Sequence, residues 1–540
     1  MKRRFHIRNI AFLFVAVFIL TMLPSCGEDD GSGYIFKMNI ENNPRNLDPQ
    51  IAVDSESVMI ITNMMEGLMR VGASGEIVPA AAESFTMSDD GLTYTFNLKK
   101  GHKWESLADF SAEVTADDFV YAFQRIFDAE TASPYSGDYM CIKNAAAVLN
   151  GTKPVQELGV RAVDEYTVEF TLAYPYYDFL ALLAKPAAMP CSREFFEFTR
   201  GRYGMAADAS ASNGAFYLKE WNYDPYWDNN YIIMRRNKAY SEENYVYPYS
   251  LNFFITGGSV QDSESYSADN VQCYVSEVYD EKVFAESKVS EHLTKTAGLI
   301  FNLESEYFGK VQFREALAKN LNRDYFIHKL PNNLEAAFGI IPGSVTIQGK
   351  SYRDLVSDRV LSVYSADSSR LWDNALKSVG EVSVDGVKIT VPDSFQNSEM
   401  IYGVTEQWQS ELLFYCGVEV VSQNEYDSKL ESGDYDIALI ELSASENSAD
   451  EFLNVFISDE RFKGYSNPKL SAHINGGRTA GSLTEGAELY KYAEQEIIGD
   501  YIFIPLFYEK EYFVTKDKTA DLIYYPFSSA VQFKDAKYFD

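Results

Sequence analysis

Side-chain catalysis needs a nucleophile, a base or a set of metal ligands at fixed spacing, and this 540-residue chain offers few such spacings. Its five histidines, His6, His102, His292, His328 and His473, stand far apart. There is no HExxH pair to put two imidazoles on one helix face around zinc, and no GxSxG elbow to expose a serine. Residues 343–351, GSVTIQGKS, approximate a phosphate-cradling loop, but five residues separate the two glycines where that loop needs four. One residue too many moves the backbone N–H groups off a phosphate, so the segment reads as a turn. Cys141, Cys191, Cys273 and Cys416 form no CxxC, and spacing does not decide whether any of them pair. The 79 Asp and Glu leave carboxylate pairs open, because spacing along the chain does not say which two meet in space. No catalytic residue, metal ligand or cofactor is assigned. The expectation is a binding protein and not an enzyme, with an exported hydrolase as the rival class.

The elements that must position a binding site begin after an export signal. Lys2, Arg3, Arg4 and Arg8 flank an uncharged apolar run over residues 10–23. Its 14 residues fall short of the roughly 20 that a spanning helix needs, so residues 1–25 read as a signal peptide. Leu23-Pro24-Ser25-Cys26 resembles a bacterial lipobox, which would make Cys26 a lipid anchor on the outer face of the cytoplasmic membrane. Pro24 departs from that pattern. Residues 26–33 follow as a small, acidic tether. The net charge of −32 excludes nucleic acid as a partner and reports solubility more than a cationic ligand. A chain this long exceeds one core, so two or more lobes are expected. With 38 Tyr and 36 Phe it can line a wet cleft with rings whose hydroxyls reach ligand or water.

Strand and helix patterns alternate along the remainder. Residues 34–40 read as a strand leading into a proline-bounded loop, and Asp54 as the cap of a helix continuing through Arg70. Residues 92–98 alternate with period two as a half-buried strand. Thr115, with an acid three residues on, caps a helix whose buried face is Phe119, Phe123, Ile126 and Phe127. Later come a strand over 298–303, helices over 311–321 and 324–329, strands over 387–391 and 418–421 around a helix over 406–415, and a buried strand over 435–440. This alternation predicts α/β lobes with mostly parallel sheets.

Several ordered segments carry a resemblance. They are Pro44-Arg45-Asn46-Leu47-Asp48-Pro49; Ser88-Asp89-Asp90-Gly91-Leu92-Thr93-Tyr94; Thr115-Ala116-Asp117-Asp118-Phe119; Ser212-Asn213-Gly214-Ala215-Phe216; Arg314-Glu315-Ala316-Leu317 with Asn322-Arg323; Gly433-Asp434-Tyr435-Asp436; and Ile504-Pro505-Leu506. Together they resemble the extracellular solute-binding proteins of the oligopeptide and dipeptide importer family, over nearly the whole mature chain. The resemblance implies a two-lobed type II periplasmic-binding-protein fold with an extra subdomain in the first lobe. Lobe I would span 34–291 with the insert at about 82–200, lobe II 292–500, and 501–540 would return to lobe I. The function implied is a monomer that closes on a peptide and delivers it to an ABC permease and ATPase complex.

The resemblance also places a ligand site. Family peptide binders hold the ligand ammonium with an Asp three residues after an aromatic, beyond the strand that follows Gly433-Asp434-Tyr435-Asp436. Here Leu442 stands for the aromatic and Ser445 for the Asp, with Glu441 and Glu446 as nearby carboxylates. Tyr426 takes the place of a Trp wall, while Asn46, Asn213 and Gly214 are either ligand contacts or structural. The missing Asp leaves an oligosaccharide, a blocked peptide or a chelate open as ligand, and an orphan peptide-sensing receptor open as role.

Overall fold

The computed structural model describes residues 33–539 except 73–74, 109, 227–228, 241–245, 259–260, 325–328, 357–359, 361–366 and 446. The signal peptide, Cys26 and nearly all of the tether therefore lie outside the described residues, as does Glu446.

The first lobe is built on a four-stranded sheet in the order Ile35–Ile40, Ser250–Ile255, Tyr231–Arg236, Phe216–Asn222. Its first pair is parallel and the others antiparallel. A second four-stranded sheet, antiparallel throughout, contains Ala82–Met87, Thr93–Leu98, Thr167–Thr171 and Val160–Asp164. Helix Ala116–Phe127 packs on it through Phe119, Phe123, Ile126 and Phe127, all buried. Asp118 closes its N-terminus by accepting the Thr115 N–H at 2.9 Å. Both sheets share one continuous hydrophobic cluster, which also takes in Val531, Phe533 and Ala536 from the C-terminal segment.

The lobe is pinned by a buried ion pair: Arg125 grips Asp48 through both guanidinium nitrogens, at 2.8 and 2.5 Å, and Gln50 at 2.6 Å. Asp48 of the proline-rich loop thus fastens that loop to helix Ala116–Phe127. The helix capped by Asp54, which accepts the Ser57 N–H at 2.9 Å, spans Ser55–Met64 and stops short of Arg70. The Asn213 side chain accepts the Glu66 N–H at 3.0 Å and donates to the Glu66 carbonyl at 2.8 Å, pulling the chain out of helical geometry.

The second lobe holds a seven-stranded mixed sheet with the path Cys273–Ser276, Phe503–Lys516, Ser287–Phe301, Ile437–Ser443, Lys388–Pro392, Gly417–Val421; Leu334–Ala336 also pairs with Phe503–Lys516. Only the pairs made by Lys388–Pro392 are parallel, which corrects the expectation of mostly parallel sheets. The reason is topological: Ser287–Phe301 carries the chain out of the first lobe and Phe503–Lys516 carries it back, so the two must run antiparallel. They pair from Ser287↔Lys516 to Ile300↔Phe503, with irregularities between Leu293 and Lys295 and between Ala297 and Gly298. At one end Phe513 joins the first lobe's core, and at the other Leu299, Ile504 and Leu506 join the second's.

Period-two alternation then divides the strands between two cores. Ile437 and Leu439 face one cluster, while Ala438, Ile440 and Leu442 face the other. The helix expected over 406–415 spans Glu399–Leu412 and ends where Leu413, at φ 53°, returns its N–H to Trp408. The helix expected over 324–329 falls largely outside the described residues. Arg314 donates to the carbonyls of Phe308, Asp500 and Tyr501, and Arg323 to those of Ala337 and Pro505, so both motif arginines fasten chain ends inside this lobe.

Candidate functional site

A cavity of about 1400 Å³ opens between the lobes. The first lobe contributes Arg70, Asp138, Tyr174, Tyr176, Tyr177, Asp178 and Lys185; the second contributes Gln348, Ser443, Ser445, Asp450, Glu451, Arg478 and Tyr490; Tyr524, Tyr525 and Lys534 come from the C-terminal segment. The lobes touch beside it. Gln348 donates its side-chain N–H to the Tyr177 carbonyl. The Tyr177 ring lies over Gly486, where an added Cβ would come within 2.7 Å of its hydroxyl, and a Cβ on Gly349 would strike the Gly75 carbonyl. The turn read at 343–351 is a hairpin, Thr346–Ile347 with Lys350–Ser351, whose tip Gln348 and Gly349 reach the opposite lobe.

Electrostatics inside the cavity are mostly paired. Arg478 holds Asp450 in a two-point contact at 2.7 and 2.8 Å, Lys185 lies 3.5 Å from Asp138, and Arg70 lies 3.9 Å from Asp535. Helix Ala449–Ser458, capped by Ser448, projects Glu451 from its first turn. That carboxylate accepts the Ser445 N–H at 2.7 Å and the Ser445 hydroxyl at 3.2 Å. Burial raises Glu451 above the usual carboxylate range, against the pull of the Ser445 N–H and of Lys185. Burial also pushes Asp178 up to about 7, with Lys185 and the Gln348 N–H pulling the other way.

Of the residues singled out from the sequence, Ser445 lines this cavity. Glu441 lies elsewhere, in a separate polar cavity of about 210 Å³ with Glu277, Lys295, Asn333 and Glu509. Glu441 shares a face with Ile437 and Leu439 but lies beyond the cluster they enter and is exposed, while Leu442 on the opposite face is buried at 2% exposure. Tyr426 is also buried, its hydroxyl donating to the Leu439 carbonyl at 2.6 Å, so it ties helix to strand. Asn46 accepts the Asp48 N–H at 3.1 Å within its own loop. Asn213 clamps Glu66, and Gly214 approaches Met64 so closely that a Cβ would meet its carbonyl at 2.9 Å. None of these six lines the interlobe cavity. The cysteines Cys141, Cys191, Cys273 and Cys416 are free thiols.

Sequence reasoning missed Tyr177, Asp178, Gln348, Glu451 and Arg478. The run Tyr174-Pro175-Tyr176-Tyr177-Asp178, aromatics leading to an acid, was a readable signal for two of them. Glu451 had none, because it becomes a neighbour of Ser445 only by the turn into its helix.

Two lobes joined by antiparallel strands around a large interlobe cavity are the architecture of a binding protein. The chain belongs to the bacterial extracellular solute-binding proteins, family 5, whose middle-region model matches residues 76–464. It is similar to the probable deoxycholate-binding periplasmic protein YgiS of Escherichia coli, 26% identical over 490 residues and 88% of each chain. It is also similar to the oligopeptide-binding protein OppA of Bacillus subtilis, 24% identical over 561 residues and 99% of each chain. In three dimensions it matches Haemophilus influenzae OppA in complex with RPPGFSPFR, with a TM-score of 0.69 and 23% identity, covering 94% of this chain and 99% of that one. No helix among the described residues is long and apolar enough to cross a membrane.

Proposed function

We propose that this protein is an exported, lipid-anchored receptor that captures a peptide between its lobes and hands it to an ABC importer, without catalysing a reaction. The observation that carries this reading is the interlobe cavity. At about 1400 Å³ it exceeds the roughly 300–1,000 Å³ typical of sites for drug-sized ligands. Its walls combine tyrosine rings with cations paired to carboxylates at Arg478, Lys185 and Arg70, an arrangement that satisfies a polar main chain while tolerating varied side chains. Relatives named for oligopeptide binding, over nearly the full chain, support the same ligand class. Contacts between Gln348 and Tyr177 and between Tyr177 and Gly486 exist only when the lobes are together, so a ligand that bridges the cavity favours the closed state an importer would recognise.

The test is native mass spectrometry of the purified protein, followed by denaturation and identification of what leaves it. Short peptides, or uptake of peptides from a defined pool, support the proposal. Indifference to the pool together with saturable binding of deoxycholate would move the ligand class to that of the YgiS relative. Anchoring is tested by Cys26→Ala, expected to shift the protein from the membrane fraction to the soluble exported fraction; retention on the membrane would refute the anchor.

A further inference from the structure

The lobes meet beside the cavity through protein groups, and two of those contacts carry an unusual backbone. The hairpin Thr346–Ile347 with Lys350–Ser351 turns through Gln348 and Gly349, at φ 50° and 75°. Such a turn favours Asn, Asp or Gly at its first position, because left-handed backbone brings Cβ against the next carbonyl and a short polar side chain compensates locally. Gln348 instead sends its amide across the cleft to the Tyr177 carbonyl. Its hairpin is fixed to the second lobe by Asn447, which accepts the Thr346 N–H and donates to the Thr346 hydroxyl, both at 2.8 Å. Ser344 fixes it to the outgoing crossing strand by accepting the Leu293 N–H at 2.8 Å, beside an irregularity in that strand. Phe527 crosses in the other direction. It lies between strands Ile523–Tyr525 and Ala530–Gln532, which Asn63 ties to the first lobe by donating to the Val531 carbonyl at 2.7 Å and accepting the Phe533 N–H at 2.9 Å. Its neighbours Pro526 and Ser528 line the cavity. At φ 75° it holds a conformation rare for a bulky residue, yet its ring packs on the second lobe's core, edge-on to Phe452 with centroids 6.1 Å apart.

A left-handed residue other than glycine costs free energy and persists where its surroundings hold it there. We propose that Gln348 and Phe527 are a pair of strained latches, one thrown from each lobe, that hold the lobes together before any ligand binds. Neither contact uses a ligand group. The hydrogen bond and the ring contact favour closure, and the backbone strain offsets part of that gain, so each latch holds weakly and releases readily. When the lobes part, the Gln348 amide returns to water, the Phe527 ring leaves the second lobe, and both turns can relax. Ligand entry then waits on release of both latches, and a ligand spanning the cavity selects a lobe arrangement that the protein already visits. This device needs only the two lobes and holds for any ligand class.

The test is small-angle X-ray scattering of the purified protein, freed of ligand by unfolding in guanidinium chloride and refolding, as wild type, Gln348→Gly, Phe527→Gly and the double variant. Glycine accepts the left-handed backbone while removing the group that bridges, and thermal melting shows that each variant is folded. The wild-type profile should match this structure, with its lobes in contact. Loss of the Gln348 hydrogen bond should lower the closed-to-open ratio about twofold to tenfold, read as a larger radius of gyration, and the double variant should be the most extended. Gln348→Asn and Phe527→Asn also tolerate this backbone and do not bridge, so they give the same readout if a glycine variant melts early. A ligand-free wild type already as extended as the double variant overturns the latches. A folded double variant as compact as the wild type overturns them equally.

Discussion

Glu509→Gln should raise the stability of this protein at neutral pH, against the usual direction for substitutions in a sheet. Glu509 sits on the returning strand Phe503–Lys516, opposite Lys295, and its Oε1 is buried with no donor reaching it. Burial, and after it the adjoining Glu441 carboxylate, push Glu509 up to about 9, while Lys295 pulls the other way. An acid raised in the folded state binds more protons folded than unfolded, so its contribution to stability is full below the unfolded value of 4.5 and is lost as pH rises toward 9. Between 4.5 and pH 7 that loss amounts to about a few kcal/mol. Glu441 is exposed and can turn its charge toward water, which lowers the cost to about 1–2 kcal/mol. Gln keeps the shape of the protonated acid and removes the titration. For a melting unit the size of the second lobe, each kcal/mol moves Tm by about 2–4 °C. Differential scanning calorimetry of wild type and variant at pH 5, 7 and 9 should show the variant gaining most at pH 9 and almost nothing at pH 5. A variant that melts lower at pH 7, or a gap that does not grow with pH, would refute the account of a buried acid held protonated by the fold.

Asp48→Asn leaves Arg125 buried without its anion and should cost about 3–5 kcal/mol, read as a Tm loss in the ligand-free protein; a change under about 1 kcal/mol would mean that the pair contributes little. Gly486→Ala adds a methyl on a helix, which by propensity alone favours folding by about 1 kcal/mol, yet its Cβ would press on the Tyr177 ring. Unchanged or higher stability, weaker ligand binding and a larger radius of gyration in small-angle scattering are expected, and unaltered affinity would show that Tyr177 moves aside without cost.

Local physics was legible in the sequence because it acts over a few residues. The Asp54 and Thr115/Asp118 caps, the period-two strand read over 92–98, the buried strand read over 435–440 and the aromatic stripe of helix Ala116–Phe127 follow from neighbours along the chain. The ordered motifs likewise marked the two-lobed family, though Asp48, Asn213, Arg314 and Arg323 serve as internal fasteners. What the sequence could not decide is set by groups hundreds of positions apart. Whether a sheet is parallel depended on the direction of the strand that returns to the first lobe, which no local pattern encodes. Glu441 and Glu451 are both acids near the expected ammonium position, and only the pleat of Ile437–Ser443 and the turn after it send one to a separate cavity and the other to Ser445. Gln348 meets the Tyr177 carbonyl across the two lobes for the same reason, because only the fold sets the distance between groups so far apart in sequence.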